Sequence, residues 1–572
     1  MKRYTALFLM LIVTTFFILP NILNSKESDE DIKKKLPKML GANNAGKEFW
    51  FTIPPVFEDE SGGYANFVKI FVTSPAKTYV TVEVPGRGKR MNNYTVPNDV
   101  IEFNITPADA QPYLKSGYQP CVPEDIYKGV GIHITADEPL VVYVVCRYRY
   151  TSDGFLAIPV SSLGREYICA SYGDMTAMFP MYTLPSLCGI TAAYDNTKVR
   201  FKLGGNTLTQ TAGGMKPGDV KEATLNKGDV WMFSSKGPEA DLTGSKITSN
   251  YPIAVVSGNQ CTNIPTSNQW CDYTVEMDIP TYTWGYDYHV PKVPKRRYPS
   301  LVRIFAKEPN TNYYRDGKQI GQLAEAGGVL GRAYIEMRMV SMGSDPRSVV
   351  FSGDKPIGVT LYNCGVQEDV VTSNSDPFVM AMTPMEQYQK TITFCTPGVS
   401  GSGFAENYLN LVFQTDENDL IPDDLEFADV KEGDFSWSKV KSKFGGTFEK
   451  FVYDANNKKF GVKTLELPAE GVFRIQAKTP FAAYSFGYSS YDSYGYPTSA
   501  AFIDVVKKDT LPPVPTWVMD CDGYVHGEKG GPATIKDYPE EDSVRSNLSM
   551  IVFHAGLSYN YKIGRASCRE RV

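Results

Sequence analysis

The residue types that carry most enzymatic chemistry are scarce in this chain. It has four histidines, His133, His289, His526 and His554, and none falls in an HExxH or other two-histidine metal spacing. The GVSGSG run at 398–403 sets a serine among glycines without the strand-to-helix context of a nucleophile elbow, so it reads as a loop. Asp416-Glu-Asn-Asp419 and Asp520-Cys-Asp-Gly523 offer the oxygen ligands calcium prefers but miss the spacing of a calcium loop. The expectation is a chain without cofactor or metal and without catalysis. Glycoside hydrolysis by paired carboxylates stays open, because the separation that defines it exists only in three dimensions.

Recognition chemistry is better represented. Asp153, Asp272, Asp376 and Asp492 each sit in a polar segment that follows a strand-like run, and the four segments should occupy equivalent places. In the last of them, YSFGYSSYDSYGY at 484–496, Tyr488, Tyr491, Tyr494 and Tyr496 surround Asp492. Tyrosine, serine and glycine together supply rigid amphipathic contacts and adaptable hydrogen bonds, a mixture favoured in binding loops. These eight residues are the ligand-binding candidates. The competing reading, in which the rings pack one unit against the next and the aspartates cap turns, stays open.

Elements that could position them are visible as a repeated phrase. Ile134-Thr-Ala-Asp-Glu-Pro139, Ile247-Thr-Ser-Asn-Tyr-Pro252, Phe351-Ser-Gly-Asp-Lys-Pro356 and Ile475-Gln-Ala-Lys-Thr-Pro480 each end one apolar run and begin another. The polar pair supplies turn chemistry and the proline opens a strand, so each phrase is expected to be a β-hairpin. The copies recur about every 110 residues, which makes most of the chain one supersecondary unit used four times. Gly46, Gly164 and Gly285 open the first three units, and Gln387-Tyr-Gln-Lys is a weaker fourth opening. In the first unit the strand candidates are 49–56, 67–73, 79–84, 100–105, 130–135 and 140–146.

The fold class is therefore all-β: four tandem antiparallel β-sandwich-like repeats at 46–160, 161–281, 282–385 and 386–506, as a pseudo-symmetric ring or a string. A proline-rich linker and the start of a further β domain follow at 507–561. Residues 562–572, KIGRASCRERV, read as the translation of a sequencing adapter rather than as protein.

Lys2 and Arg3 precede an apolar stretch that Pro20 ends, the layout of a secretory signal over 1–25, with a linker at 26–45. Secretion or surface display is expected, with no membrane insertion beyond that signal or anchor. A net charge of −6, well dispersed, argues against nucleic acid; the one basic cluster, KVPKRR at 292–297, reads as a solvated turn. Cys121, Cys146, Cys169, Cys188, Cys261, Cys271, Cys364 and Cys395 are disulfide candidates in an exported protein, paired as neighbours, with Cys261–Cys271 closing the shortest loop. Cys146, in an apolar run, also fits a buried thiol.

Three stretches carry a family resemblance: GREYICASY at 164–172, YPIAVVSGNQC at 251–261, and WCDYTVEMDIP at 270–280 followed by WGYDY at 284–288. With TSDGFLA at 151–157 they resemble the N-terminal domain of the IgGFc-binding protein family, over roughly 46–506 and most specifically over 252–284. The resemblance implies a secreted or surface-displayed, non-enzymatic binding module. Its animal members are named for binding immunoglobulin Fc and continue into cysteine-dense modules, where this chain has a proline-linked β segment instead. The expected partner is an extracellular glycoprotein or polysaccharide, with immunoglobulin Fc as the family's namesake ligand.

Overall fold

Alternation of apolar and polar residues is converted directly into two-faced strands. In Tyr79–Val84 the residues Val80, Val82 and Val84 are all fully buried. The computed structural model describes residues 44–57, 67–148, 151–175, 180–368, 375–399, 401–431, 434–490 and 492–502, with four short strands beyond. The expected signal, most of the first linker, Tyr491, the 520–523 acidic run and residues 562–572 lie outside the described residues.

Four antiparallel sheets follow one another along the chain. The first contains Gly46–Phe51, Phe67–Thr73, Tyr79–Val84, Lys89–Tyr94, Val100–Ile105, Ile132–Arg147 and Ser152–Leu156, and the other three repeat its connectivity. In the second sheet, Val230–Ser234 also pairs with Asp125–Tyr127, a strand that precedes the second unit in sequence.

The repeated phrase is not a hairpin. Each copy lies inside one long strand, Ile132–Arg147, Lys246–Thr262, Val349–Tyr362 and Gly471–Ser489, which we call the spines. A spine serves two half-sheets. In the first unit its N-terminal half pairs with the opening strand and with Tyr79–Val84, and its C-terminal half pairs with Phe67–Thr73 and with Ser152–Leu156. The bend between the halves is a bulge with the same register in every unit: Gly46 pairs with Leu140 and Glu48 with Thr135, just as Gly164 pairs with Ile253 and Glu166 with Thr248. The proline sits where the ladder skips, so its missing N–H costs no ladder bond, and the strand turns a sandwich corner without breaking. The opening glycines are required by close approach, since a Cβ on Gly46 would lie 2.3 Å from Pro159 and one on Gly164 2.4 Å from Pro280.

The units close into a ring. Along the spines, alternate residues face the unit's own core while those between them face the preceding unit. Val142, Val144 and Cys146 fill the first core, whereas Val141, Tyr143 and Val145 join the core of the fourth unit. Ile253 and Val255 fill the second core, with Ala254 and Val256 turned to the first. In the fourth spine Phe481 and Ala483 point inward, while Ala482, Tyr484 and Phe486 complete the core of the third unit. The strands after the spines, Ser152–Leu156, Asp272–Met277, Val379–Ala381 and Asp492–Pro497, touch one another in cyclic order and form a central hub. Past the ring, Val514–Thr516 pairs with Thr534–Lys536, and Val518–Met519 with Val525–His526.

Candidate functional site

The four aspartates converge on the hub, but only Asp272, Asp376 and Asp492 are equivalent: each stands five residues before Met277, Ala381 or Pro497, whereas Asp153 stands three before Leu156, which holds the same register place, and so matches Thr274, Phe378 and Tyr494 instead. Asp153, Asp272, Asp376 and Asp492 are all buried. Asp153 accepts from the backbone N–H of Val275 at 3.0 Å and of Val379 at 3.2 Å, tying the first unit to the second and third. Asp272 accepts from the N–H of Ser152 at 2.9 Å and from the Thr151 hydroxyl. Asp492 pairs with Arg147 at 3.3 Å. Burial pushes the carboxyls of Asp153, Asp272 and Asp376 well above the usual range, and the Asp376 charge raises Asp272 further.

Tyr488, Tyr494 and Tyr496 of the fourth segment are buried as well. Tyr494 donates to Asn407 Oδ1 at 2.9 Å, Tyr496 donates to the Cys395 carbonyl at 3.2 Å and stacks on Tyr143, and Tyr488 lies against Arg296. The Tyr143 stack and the Arg296 contact join the fourth unit to the first and third, the other two contacts lie within the fourth unit, and none leaves these rings as a face open to a macromolecule. In the 416–419 run, Asp416 caps its own turn through Asn418 and Leu420, and Asp419 is held by Lys459. Among the described residues no group of three or more His, Cys, Asp or Glu side chains is placed to hold a metal.

An open cleft lies instead at the junction of the third and fourth units. It measures about 500 Å³ and is lined by Tyr286, Asp287, Tyr314, Gly317, Ser352, Gly353, Asp354, Glu386, Tyr453 and Asn456. Its floor is a register row across three strands. In Gly285–Val290, Tyr288 and Val290 point inward, so Asp287 points out; Asp287 pairs with Ser352, which pairs with Tyr314. Tyr286 is the bulged residue of its strand, and its N–H donates to Glu386 Oε1 at 3.0 Å.

The walls come from turns. Asp316 and Gly317 take left-handed φ of 50° and 75° in the hairpin before Lys318–Leu323. The Tyr453 ring from the fourth unit then packs so close that a Cβ on Gly317 would sit 2.4 Å from it. Asn456, also left-handed at φ 54°, donates to Asp287 Oδ2 at 2.8 Å and pins the fourth unit's loop to the third. Asp354 is held by the Asn312 backbone and amide at 2.8 and 2.6 Å. Glu386 Oε2 and Ser352 Oγ are buried without a hydrogen-bond partner, and burial raises the Glu386 carboxyl. Such a surface offers ring faces, amides and carboxylates to a polar ligand.

The model of the family described as IgGFc binding protein matches residues 153–487, more than half of the chain. The chain belongs to the IgGFc-binding protein family. It is 27% identical over 314 residues to the human IgGFc-binding protein, an alignment that takes in 54% of this chain and 5% of that protein. The chain thus spans a small fraction of the relative's length. The matched region of this family member contains the second and third spines, all but the last two residues of the fourth, and every residue lining the cleft.

Cysteine pairing divides. Cys261 and Cys271 form the expected disulfide, with Cα atoms 5.2 Å apart. Cys121, Cys146, Cys169, Cys188, Cys364 and Cys395 are thiols, which corrects neighbour pairing for the rest. The reason is topological for Cys364 and Cys395, which are buried in different cores. Cys146 points into the first core, while Cys121 lies near Lys115 and Asp174. Cys169 and Cys188 share one core, where their thiols are hydrogen-bonded.

No cleft residue stood among the sequence candidates. The signal available was the GYDY opening and the Tyr313-Tyr314 pair, but their convergence depends on register and on a loop from the next unit.

Proposed function

We propose that this chain is an extracellular module that binds glycoprotein or polysaccharide without catalysis, and that its ligand is held in the cleft between the third and fourth units. The cleft carries the reading. Its volume falls in the range of small-ligand sites, and flat tyrosine faces beside fixed carboxylates and an amide suit the apolar faces and hydroxyl rims of sugar rings. Membership of a family named for binding supports the class of function, and the secretory-signal layout supports the compartment. The hub candidates Asp153, Asp272, Asp376, Asp492, Tyr488, Tyr494 and Tyr496 act in this reading as the frame that fixes the two units bordering the cleft.

The test is saturable binding of the full chain to an array of mucin glycans, plant and microbial polysaccharides and immunoglobulin Fc, repeated with Tyr453→Ala and Tyr314→Ala. Glycan binding weakened about tenfold, or ~1.4 kcal/mol, with an unchanged melting temperature is the expected outcome. Binding to Fc alone, indifferent to both substitutions, would place recognition elsewhere. Release of reducing ends in the same assay would replace binding by hydrolysis.

A further inference from the structure

We propose that the cleft selects sugars bearing a free ammonium group, so that its ligand is an amino-sugar glycan; this rests on the reading of the cleft as a glycan site. Three carboxylates, Asp287, Asp354 and Glu386, line it and, among the described residues, no lysine or arginine does. None of the three has an ion-pair partner among the described residues, although ion pairs are plentiful elsewhere. Of the cations around it, Lys355 donates to the Pro309 carbonyl at 2.6 Å, Arg347 pairs with Asp316 at 2.6 Å and Lys459 with Asp419 at 2.9 Å, while Lys318 and Lys458, close to the lining in sequence, are exposed. Asp354 and Asp287 are held by neutral amides, Asn312 and Asn456, which orient the carboxylates without cancelling their charge.

Tyr286, Tyr314 and Tyr453 add ring faces that attract cations, and a protonated amine on a sugar would meet charge and ring together. A basic peptide is the other cationic polymer, but the cleft offers it no strand to extend. The outer edge of Gly285–Val290 is covered at Tyr286 by the Glu386 carboxylate, which blocks main-chain pairing.

The experiment titrates the full chain by calorimetry with chitosan oligosaccharide, with the same oligomer fully N-acetylated, and with oligolysine of similar charge, at a pH where the amines are ionised. The expected result is at least tenfold tighter binding of the chitosan oligomer than of its acetylated form, with the preference abolished by Asp354→Asn or Asp287→Asn. Two independent isosteric variants guard against one that fails to fold. Equal affinity for both oligomers, lost together in Tyr453→Ala, overturns the ammonium preference while leaving the glycan site standing. Tighter binding of oligolysine overturns the amino-sugar assignment. No binding of either oligomer overturns it too, and glycan binding on the array that ignores Tyr453→Ala removes the cleft reading as well.

Discussion

Asp278 lies buried beside the second spine, taking the Ser257 hydroxyl on one oxygen and the Ala170 N–H at 3.2 Å on the other, and burial raises its carboxyl to about 7. The folded state keeps a proton that the unfolded chain, titrating near 4, releases. Its contribution is therefore complete below about pH 4 and is lost as pH rises through about 7, a swing of up to about 4 kcal/mol. Asp153, Asp272, Glu276 and Asp376 are raised by burial in the same sense. Urea midpoints measured from pH 4 to 8 should fall with rising pH, and Asp278→Asn should flatten that fall; an unchanged slope would contradict the assignment. From sequence, the common placement of the four aspartate segments was legible, although Asp153 stands two residues out of step with Asp272, Asp376 and Asp492. Their burial was not, because an aspartate beside serine and glycine reads the same in a solvated loop and in a hub where neighbouring backbones supply the donors.

Turns and bends set the geometry of the cleft. Gly317→Ala places a Cβ at a positive φ and into the Tyr453 ring, which should cost about 1–3 kcal/mol and push the ring outward. A lower melting temperature together with weakened ligand binding is expected; lowered stability with unaltered binding would detach Tyr453 from recognition. At this scale the sequence was read correctly for strand content and wrongly for connection. The proline phrases carry turn chemistry, yet a bulge uses the same residues as a hairpin. Only the register of the opening strand, Gly46 to Leu140 and Glu48 to Thr135, separates a bend from a reversal.

Ring closure distributes stability over the whole molecule. The seam between the first and fourth units holds the Tyr143–Tyr496 stack, the Ser152–Ser493 hydrogen bond at 2.7 Å and Arg147, which reaches Asp492, the Ser402 carbonyl and the Phe404 ring. Tyr496→Ala should cost about 3–5 kcal/mol through the cavity it leaves. Calorimetry of the intact chain should show the ring melting as one transition, since each core borrows residues from the next unit. A chain ending at residue 385 should be insoluble, because it exposes Val141, Tyr143 and Val145; a soluble, folded product would show the units to be independent. Ring and string were indistinguishable in sequence, because the spine residues facing a neighbouring unit and those facing the unit's own core are equally apolar.

The same seam receives the chain at Ala45 and releases it near Phe502, both packed against its two cores. A pull on the flanking polypeptide is thus borne across one junction rather than along four units in series. Within a longer polypeptide under tension, the ring would behave as a short clasp: it adds little contour length while shut, and it gives way first where its two ends meet.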